Sequence, residues 1–352
     1  MVHYLRFLRT PQAADASKKS IDISAVAAVT TDLGDSFFSQ DLTIIARLVD
    51  ATKSGEILCS SEVLWKTGSR AAKVALSCNA KLAGRLVQLH LTTRDTISAH
   101  ASCEVPAVID VWSSPFTIKS KAKAQPLVER RIQLQGKSQA RIWEETGDSI
   151  ARHIWDASLG CLIYLNSCFD TSKDDSLPLL RKLLTDDKAK RLRVLEVGAG
   201  CGIVGIALSQ LRKSEIVLTD LEDAQDIMQS NIDCAAPASG SSLKRQVLGW
   251  GTGLSDLENA KFDLVLVSDC IYNPDSSVLL VETLKELSNH NSNVLVFVAF
   301  KRRHDADDIF FQHMQKSELR VIEKGTIKLP HIMTDYDIDE PQTETFVFRA
   351  RD

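Results

Sequence analysis

Alternating apolar and polar residues characterise the first part of the chain. Such an alternation runs from Val87 to Leu91, and its period of two is typical of a strand with one buried face. Similar runs, separated by turns that contain glycine, predict strands at 42–49, 56–66, 71–78, 85–93 and 107–112. Up to about residue 125 we therefore expect a small β-rich domain, folded as an antiparallel sheet or sandwich.

After about residue 144 the pattern changes to helical spacing that alternates with apolar strands. Thr146-Gly147-Asp148 is expected to open a helix that runs through Leu165, and a second helix is predicted at 177–184. Strands are then predicted at 193–197, 215–219, 262–267, 293–300, 319–327 and 343–349. Helices are predicted between them at 203–211, 222–234, 276–288 and 305–317. This succession indicates an α/β fold with a mostly parallel sheet that is covered by helices on both faces.

A basic stretch at 119–126, poor in apolar residues and ending in a proline, predicts the boundary between the two parts. We expect a β-rich accessory domain at 1–125, which offers an interaction surface, and a second domain at 126–352. The first carries 15 basic and 11 acidic side chains, and the second carries 27 and 35. An acidic second domain disfavours nucleic acid and suits a basic protein or peptide partner.

Composition indicates the class of protein and its expected location. The 352 residues are 44% hydrophobic and 25% charged, which is typical of a globular chain. The longest apolar run, 294–300, is far shorter than the roughly 20 residues of a membrane span. Charged residues and a histidine interrupt the apolar residues among the first nine positions, so the N-terminus lacks the continuous apolar stretch of a secretory signal. We expect no membrane association and a cytoplasmic location, with the nucleus left open. The eight cysteines show no Cys-x-x-Cys pair or zinc-ligand spacing, so we expect free thiols and no metal.

Candidate chemistry centres on a glycine-rich turn after the predicted strand at 193–197. Glu196 precedes Gly198, Gly200 and Gly202, and the third glycine comes one position too early for a dinucleotide fingerprint. Glycines let a backbone bend sharply and approach a ligand closely. A carboxylate at the end of this strand suits a ligand with an ammonium group, as S-adenosylmethionine has. The alternative is a purely structural turn.

Two further strand ends carry polar residues. Asp220 follows the predicted strand at 215–219, where an acid can accept hydrogen bonds from two ribose hydroxyls, although it could also cap a helix. Asp269 and Tyr272 follow the predicted strand at 262–267. The carboxyl ends of parallel strands line one ligand crevice, so all three residues are expected at the same site. Helix capping and aromatic packing are the alternatives for Asp269 and Tyr272.

Taken in order, these motifs resemble those of the seven-β-strand, family-16 protein lysine methyltransferases. The resemblance covers about 141–350, and its motifs are Ile154-Trp155-Asp156-Ala157, the strand and glycine turn at 194–202, Thr219-Asp220-Leu221-Glu222, Leu248-Gly249-Trp250 and Asp269-Cys270-Ile271-Tyr272. It implies a Rossmann-like, seven-stranded, mostly parallel sheet, and it says nothing about residues 1–125. Asn273-Pro274 departs from the pattern, at the turn where a target lysine would enter.

The resemblance implies transfer of a methyl group from S-adenosylmethionine to a lysine ε-amine of a protein substrate. Asp269 and Tyr272 are then the catalytic candidates, which orient the amine rather than act as a strong base. The implied cofactor-binding residues are Trp155, Glu196, Gly198, Ala199, Gly200, Asp220, Leu221, Trp250 and Ser268. No metal or nucleic acid is implied, and we expect a monomer. The alternatives are a methyltransferase for a small molecule or another side chain, and an adaptor that has lost catalysis.

Overall fold

The computed structural model describes residues 1–14, 19–53, 55–119, 121–145, 149–170, 176–186, 190–254, 257, 260–333 and 340–350. The chain divides into two compact units, and neither is one continuous stretch of sequence. The first unit comprises Met1–Ile132, Arg141–Ser149 and Pro330–Pro341. The second comprises Gln133–Ala140, Ile150–Leu329 and Gln342–Asp352.

Strands dominate the first unit. Its elements are β1 (His3–Ala13), β2 (Ser20–Thr30), β3 (Leu42–Asp50), β4 (Ile57–Trp65), β5 (Ala72–Asn79), β6 (Leu86–Thr92), α1 (Arg94–Ala101), β7 (Val108–Ile109), β8 (Val111–Ser113), β9 (Phe116–Thr117), β10 (Leu127–Gln133) and β11 (Gln139–Glu145). In the described residues, one sheet has the order β5-β2-β1-β7 and the other the order β11-β10-β8-β6-β3-β4, with β9 paired to β6. Leu5 and Ile23 from one sheet share a hydrophobic core with Ile44 and Leu89 from the other. The predicted β-rich N-terminal region is therefore present.

The division between the units lies later in the chain than the boundary expected at 125/126. β10 pairs with β8, with Val128 opposite Ser113, and so belongs to a sheet of the first unit. Arg130 on β10 is fully buried, and its Nη1 donates to the carbonyl oxygens of Leu5 and Asp110 at 2.8 and 2.7 Å. The described residues of the basic stretch, 119 and 121–126, thus lie inside the first unit rather than in a linker.

The expectation that all eight cysteines are free thiols is wrong for one pair. Cys59 on β4 and Cys78 on β5 form a disulfide, with their Cα atoms 6.2 Å apart. That separation lies in the range that a disulfide can bridge, and it results from the meeting of two strands that the cysteine spacing alone does not reveal. Free thiols are found at Cys103, Cys161 and Cys270.

Helices and strands alternate in the second unit. Its elements are α2 (Asp156–Cys168), α3 (Pro178–Thr185), β12 (Leu192–Val197), α4 (Ile203–Leu211), β13 (Ser214–Asp220), α5 (Gln225–Cys234), β14 (Ser242–Val247), β15 (Leu264–Ser268), α6 (Pro274–His290), β16 (Leu295–Phe300), α7 (Asp308–Lys316), β17 (Leu319–Lys328) and β18 (Gln342–Ala350). Across the described part of the unit, the strands form one sheet in the order β14-β13-β12-β15-β16-β18-β17. The first five strands are parallel to one another, and β18 is antiparallel to both β16 and β17. The predicted α/β architecture is therefore present.

Helices cover both faces of this sheet. Val296, Val298 and Phe300 of β16 belong to one hydrophobic core together with residues of α6 and α7. Phe297 points to the other face, because side chains alternate along a strand. There its ring lies 5.8 Å, between centroids, from the ring of Tyr164 on α2. No helix among the described residues is long and apolar enough to cross a membrane.

The helix expected to open at Thr146 begins later. Thr146-Gly147-Asp148 lies outside the described residues, and Ile150–Arg152 forms a single 3₁₀ turn. Trp155 has extended dihedral angles, with φ −109° and ψ 155°, so the α-helix starts at Asp156. Trp155 consequently lies at the N-terminal end of α2.

Candidate active site

The glycine turn joins β12 to α4. Gly198, Gly200 and Gly202 have φ values of +68°, +54° and +79°, in the left-handed region that favours glycine. A Cβ atom placed on Gly198 would lie 2.5 Å from the Cys270 sulfur, and one on Gly200 would lie 3.0 Å from the Ala151 carbonyl oxygen. Glycine is thus required here by neighbouring protein atoms as well as by the backbone conformation.

Glu196, in β12, is directed into the protein. Its side chain accepts a 2.8 Å hydrogen bond from the Gly205 amide in the first turn of α4, and the residue is only 1% exposed. Burial raises the pKa of this carboxyl to about 8, so the acid is largely neutral at pH 7. A neutral acid that is engaged by α4 supports the turn, whereas the sequence suggested a carboxylate facing a ligand's ammonium group.

Asp220 ends β13 and binds the glycine turn directly. Its Oδ2 accepts a hydrogen bond from the Gly200 amide and its Oδ1 accepts one from the Leu221 amide, each at 2.7 Å. Burial is the main cause that raises the pKa of this carboxyl. Because a carboxylate has about four lone-pair directions, each oxygen retains capacity for one further donor. The Leu221 side chain, next in the chain, is 57% exposed.

The end of β15 brings Ser268, Asp269 and Tyr272 to the same edge of the sheet. The Ser268 hydroxyl lies 3.0 Å from the hydroxyl of Ser158 on α2. Asp269 has φ +57°, a left-handed conformation that aspartate tolerates better than most residues. The Tyr272 side chain is 49% exposed, and burial of its other half, followed by the nearby Cys270 and Asp220, raises the pKa of its hydroxyl. Tyr272 is thus a neutral phenol at the surface of the site.

Asp269 forms a bidentate ion pair with Arg303. The sequence analysis did not identify Arg303 as a site residue. Arg303 Nη1 lies 2.5 Å from Asp269 Oδ1, and Nη2 lies 2.9 Å from Oδ2. The Asp269 side chain is 1% exposed and that of Arg303 is 18% exposed. Both carboxylate oxygens therefore point at the guanidinium, away from solvent. The signal for Arg303 was the basic run Lys301-Arg302-Arg303-His304 directly after β16, the neighbour of β15.

The two predicted tryptophans lie at this edge as well. The Trp155 indole NH donates to the Ile150 carbonyl at 3.0 Å, and the Arg303 guanidinium carbon lies 5.8 Å from the centroid of its ring system. Trp250 follows β14, and its Cζ2 would lie 3.0 Å from a Cβ on Gly198. The structure thus groups Trp155 with Asp269 and Arg303, and Trp250 with the glycine turn.

A cavity of about 390 Å³ lies at the opposite edge of the sheet. It is lined by the first residues of β12 and by residues beside the starts of β15 and β16, among them Leu192, Asp263 and Leu295. None of the predicted site residues lines it. The chemistry indicated by the strand ends therefore lies at the carboxyl edge, away from this cavity.

Comparison with known families gives a match over 135–317 to the model described as lysine methyltransferase. A UPF0665 family protein of Schizosaccharomyces pombe is 29% identical over 325 residues, which cover 89% of this chain and 92% of that protein. The Mus musculus protein N-lysine methyltransferase METTL21A is 26% identical over 176 residues, which cover 49% of this chain and 70% of that protein. A solved structure of the S-adenosylmethionine-dependent methyltransferase SibL has 17% identity and a TM-score of 0.34, with 50% of this chain and 55% of that chain covered.

Proposed function

Because the chain belongs to the lysine methyltransferase family, its activity is methylation of protein lysine, and we propose that S-adenosylmethionine, bound at the carboxyl edge of the second unit's sheet, is the methyl donor. The observation that carries the proposal is the hydrogen bond from the Gly200 amide to Asp220, which fixes two strand ends as one binding edge. The order β14-β13-β12-β15-β16, all parallel, supports a Rossmann-like sheet with its ligand at this edge.

The residues at this edge fit the parts of such a cofactor. The unfilled lone pairs of Asp220 suit the two ribose hydroxyls, and the exposed Leu221 and the half-buried Trp250 offer apolar surface for adenine. Gly198, Ala199 and Gly200 provide a backbone without large side chains, and Trp155, beside the Arg303 guanidinium, is assigned to the methionine side. Ser268 completes the edge at the end of β15. Glu196 contributes indirectly, since it holds α4 against the turn.

The reaction asks little of the protein beyond alignment and the removal of a proton. The sulfonium of the bound cofactor makes its methyl group electrophilic. A lysine amine, with an ordinary pKa near 10.4, must reach the site unprotonated and present its lone pair in line. We propose that the neutral Tyr272 hydroxyl accepts a hydrogen bond from the unprotonated amine and so directs its lone pair towards the methyl group. As the nitrogen gains the methyl group, the sulfur–methyl bond breaks and S-adenosylhomocysteine leaves, and the methylated ammonium then gives its proton to water.

In this proposal Asp269 is buried and acts without contacting the amine. Its carboxylate is held by Nη1 and Nη2 of Arg303 and is hardly exposed, so it does not face the amine. Instead the ion pair fixes the loop that carries Tyr272 and the guanidinium near Trp155. Tyr272 thus orients the amine by direct contact, and Asp269 orients it indirectly, because its ion pair holds the loop that carries Tyr272.

Calorimetry with S-adenosylhomocysteine and NAD tests the cofactor assignment. We expect S-adenosylhomocysteine to bind and NAD not to bind, because the third glycine is displaced from the dinucleotide pattern and Asp220 closes the turn at Gly200. Binding of NAD in place of S-adenosylhomocysteine would refute the assignment.

A further inference from the structure

A short segment, Ile150–Trp155, lies against the glycine turn, and we call it the strap. The Ala151 carbonyl oxygen would be 3.0 Å from a Cβ on Gly200, and it lies 4.0 Å from the Cys201 sulfur. The strap is closed on itself by the hydrogen bond from the Trp155 indole to the Ile150 carbonyl. It therefore borders the turn and ends in the tryptophan beside Arg303.

Arg152 fastens the strap to the segment that follows Asp220. Its Nη1 and Nη2 donate to Asp226 Oδ1 and Oδ2 at 2.7 and 2.9 Å. Nη1 also donates to the Asp223 carbonyl oxygen at 2.5 Å. Asp226 lies in the first turn of α5, and Asp223 lies in the 3₁₀ turn directly after Leu221. The Arg152 guanidinium thus connects the strap to the segment that directly follows Asp220, the residue proposed to bind the ribose hydroxyls.

The exposure of this ion pair makes it suited to opening and closing. The Arg152 side chain is 15% exposed, but that of Asp226 is 73% exposed, so water and salt compete for one half of the pair. The Asp269–Arg303 pair is more enclosed, with 1% and 18% exposed. Of these two ion pairs, Arg152–Asp226, which holds the strap, is therefore expected to be the weaker interaction.

We propose that Arg152 is a positioning residue that holds the strap against the glycine turn and thereby slows release of the cofactor. The proposal rests on the proposed function, because the strap borders the turn assigned to the cofactor. A ligand held by the turn and Asp220 leaves more readily when the strap lifts. Arg152 is expected to set the dissociation rate and to leave the transfer step itself almost unchanged.

The fastening of the strap can be measured in the full-length protein without any ligand. In Arg152→Gln and Asp226→Asn, amide hydrogen exchange in a peptide that covers the strap should be several-fold faster than in the wild type. Arg191→Gln is the matched control, since it removes a partly exposed arginine whose ion pair with Glu215, at 3.9 Å, lies at the other edge of the sheet. It should leave exchange in the strap unchanged.

The effect on the ligand is measured by stopped-flow dissociation of S-adenosylhomocysteine. We expect Arg152→Gln and Asp226→Asn to raise the dissociation rate about three- to tenfold, and added salt to accelerate release from the wild type more than from either variant. The exchanged pair Arg152→Asp/Asp226→Arg should recover part of the slow release, because it remakes the ion pair while losing the contact with Asp223.

The outcomes separate this proposal from the proposed function. Wild-type rates of release in both single variants, with S-adenosylhomocysteine bound by the wild type, would overturn the role of Arg152 and leave the function standing. Unchanged hydrogen exchange in the strap would overturn it without reference to any ligand. Failure of the wild type to bind S-adenosylhomocysteine would overturn both.

Discussion

The Gly200 amide donates a 2.7 Å hydrogen bond to Asp220 Oδ2, so the turn after β12 and the end of β13 are fixed to each other. The same carboxylate binds the Leu221 amide. A single side chain therefore shapes the glycine turn and presents the acid proposed to meet the ribose. Changes at Asp220 should affect the fold of the turn and the binding of the cofactor together.

Asp220→Asn tests this coupling. The amide group offers one acceptor oxygen in place of two, so either a backbone NH or a ribose hydroxyl loses its partner. We expect S-adenosylhomocysteine to bind at least about tenfold more weakly in calorimetry, since a hydrogen bond to a charged group contributes roughly 1.5–3 kcal/mol. Asp233→Asn, an exposed acid on α5, is the control and should bind normally. Equal affinity in both variants would remove Asp220 from the site.

Tyr272→Phe tests contact with the amine. The side chain is 49% exposed, so loss of the hydroxyl should leave the melting temperature within about 1–2 °C of the wild type. The rate of methyl transfer at saturating cofactor should fall about tenfold, the effect of losing roughly one hydrogen bond in the transition state. Cofactor affinity should not change. An unaltered rate would show that the hydroxyl has no part in the reaction.

Asp269 and Arg303 should behave as a coupled pair. Removing one partner leaves a poorly solvated charge, and we expect Asp269→Asn and Arg303→Gln each to lower the free energy of unfolding by about 2–4 kcal/mol. Asparagine also tolerates the left-handed backbone at 269, so this variant isolates the lost charge, whereas Asp269→Ala adds backbone strain. Turnover should fall further in Asp269→Asn than in Tyr272→Phe.

A double-mutant cycle, measured by urea denaturation, quantifies the pairing. The double variant should be less destabilised than the sum of the single variants by at least about 1 kcal/mol, because it contains no unpaired charge. Strict additivity would mean that the two side chains stabilise the fold independently.

Glu196 should impose a pH dependence on stability. The folded protein keeps this acid protonated up to about pH 8, whereas the unfolded chain releases the proton near the ordinary value of 4.5. Unfolding therefore releases a proton between these values, and the contribution of Glu196 to stability falls as the pH rises from 4.5 to 8, by at most about 1.4 kcal/mol per pH unit.

Glu196→Gln removes this contribution, since glutamine does not titrate. Urea denaturation at pH 5 and pH 8 should show a smaller loss of stability in the variant than in the wild type. Glu286→Gln, on α6, serves as the control and should retain the wild-type slope. The same slope in wild type and Glu196→Gln would mean that Glu196 is ionised in the folded protein.

The elements that the sequence predicted well are those with a clear periodic pattern. The helix expected at 203–211 has the same bounds as α4, and the strand expected at 193–197 differs from β12 by one residue. β1 was missed because two irregularities in its register, near Arg9, interrupt the alternation. β14 was missed because this edge strand is largely exposed and carries few apolar residues.

Side-chain direction explains what the motifs did not reveal at the site. The rule that strand ends meet at one edge correctly predicted that Gly198, Asp220 and Asp269 share that edge. Sequence spacing does not show that the Glu196 carboxyl turns towards α4, nor that Arg303 reaches across from the loop after β16. The domain boundary was misplaced for a related reason, because the pairing of β10 with β8 is a long-range contact.

The most direct test of the central claim is the chemical identity of the methylated product. The wild-type protein is incubated with cell extract and S-adenosylmethionine carrying a labelled methyl group, and the labelled proteins are hydrolysed to amino acids. We expect the label in methylated lysine, and we expect its amount to fall when Asp220→Asn replaces the wild type. Label in a small molecule or in another amino acid, with none in lysine, would contradict the account.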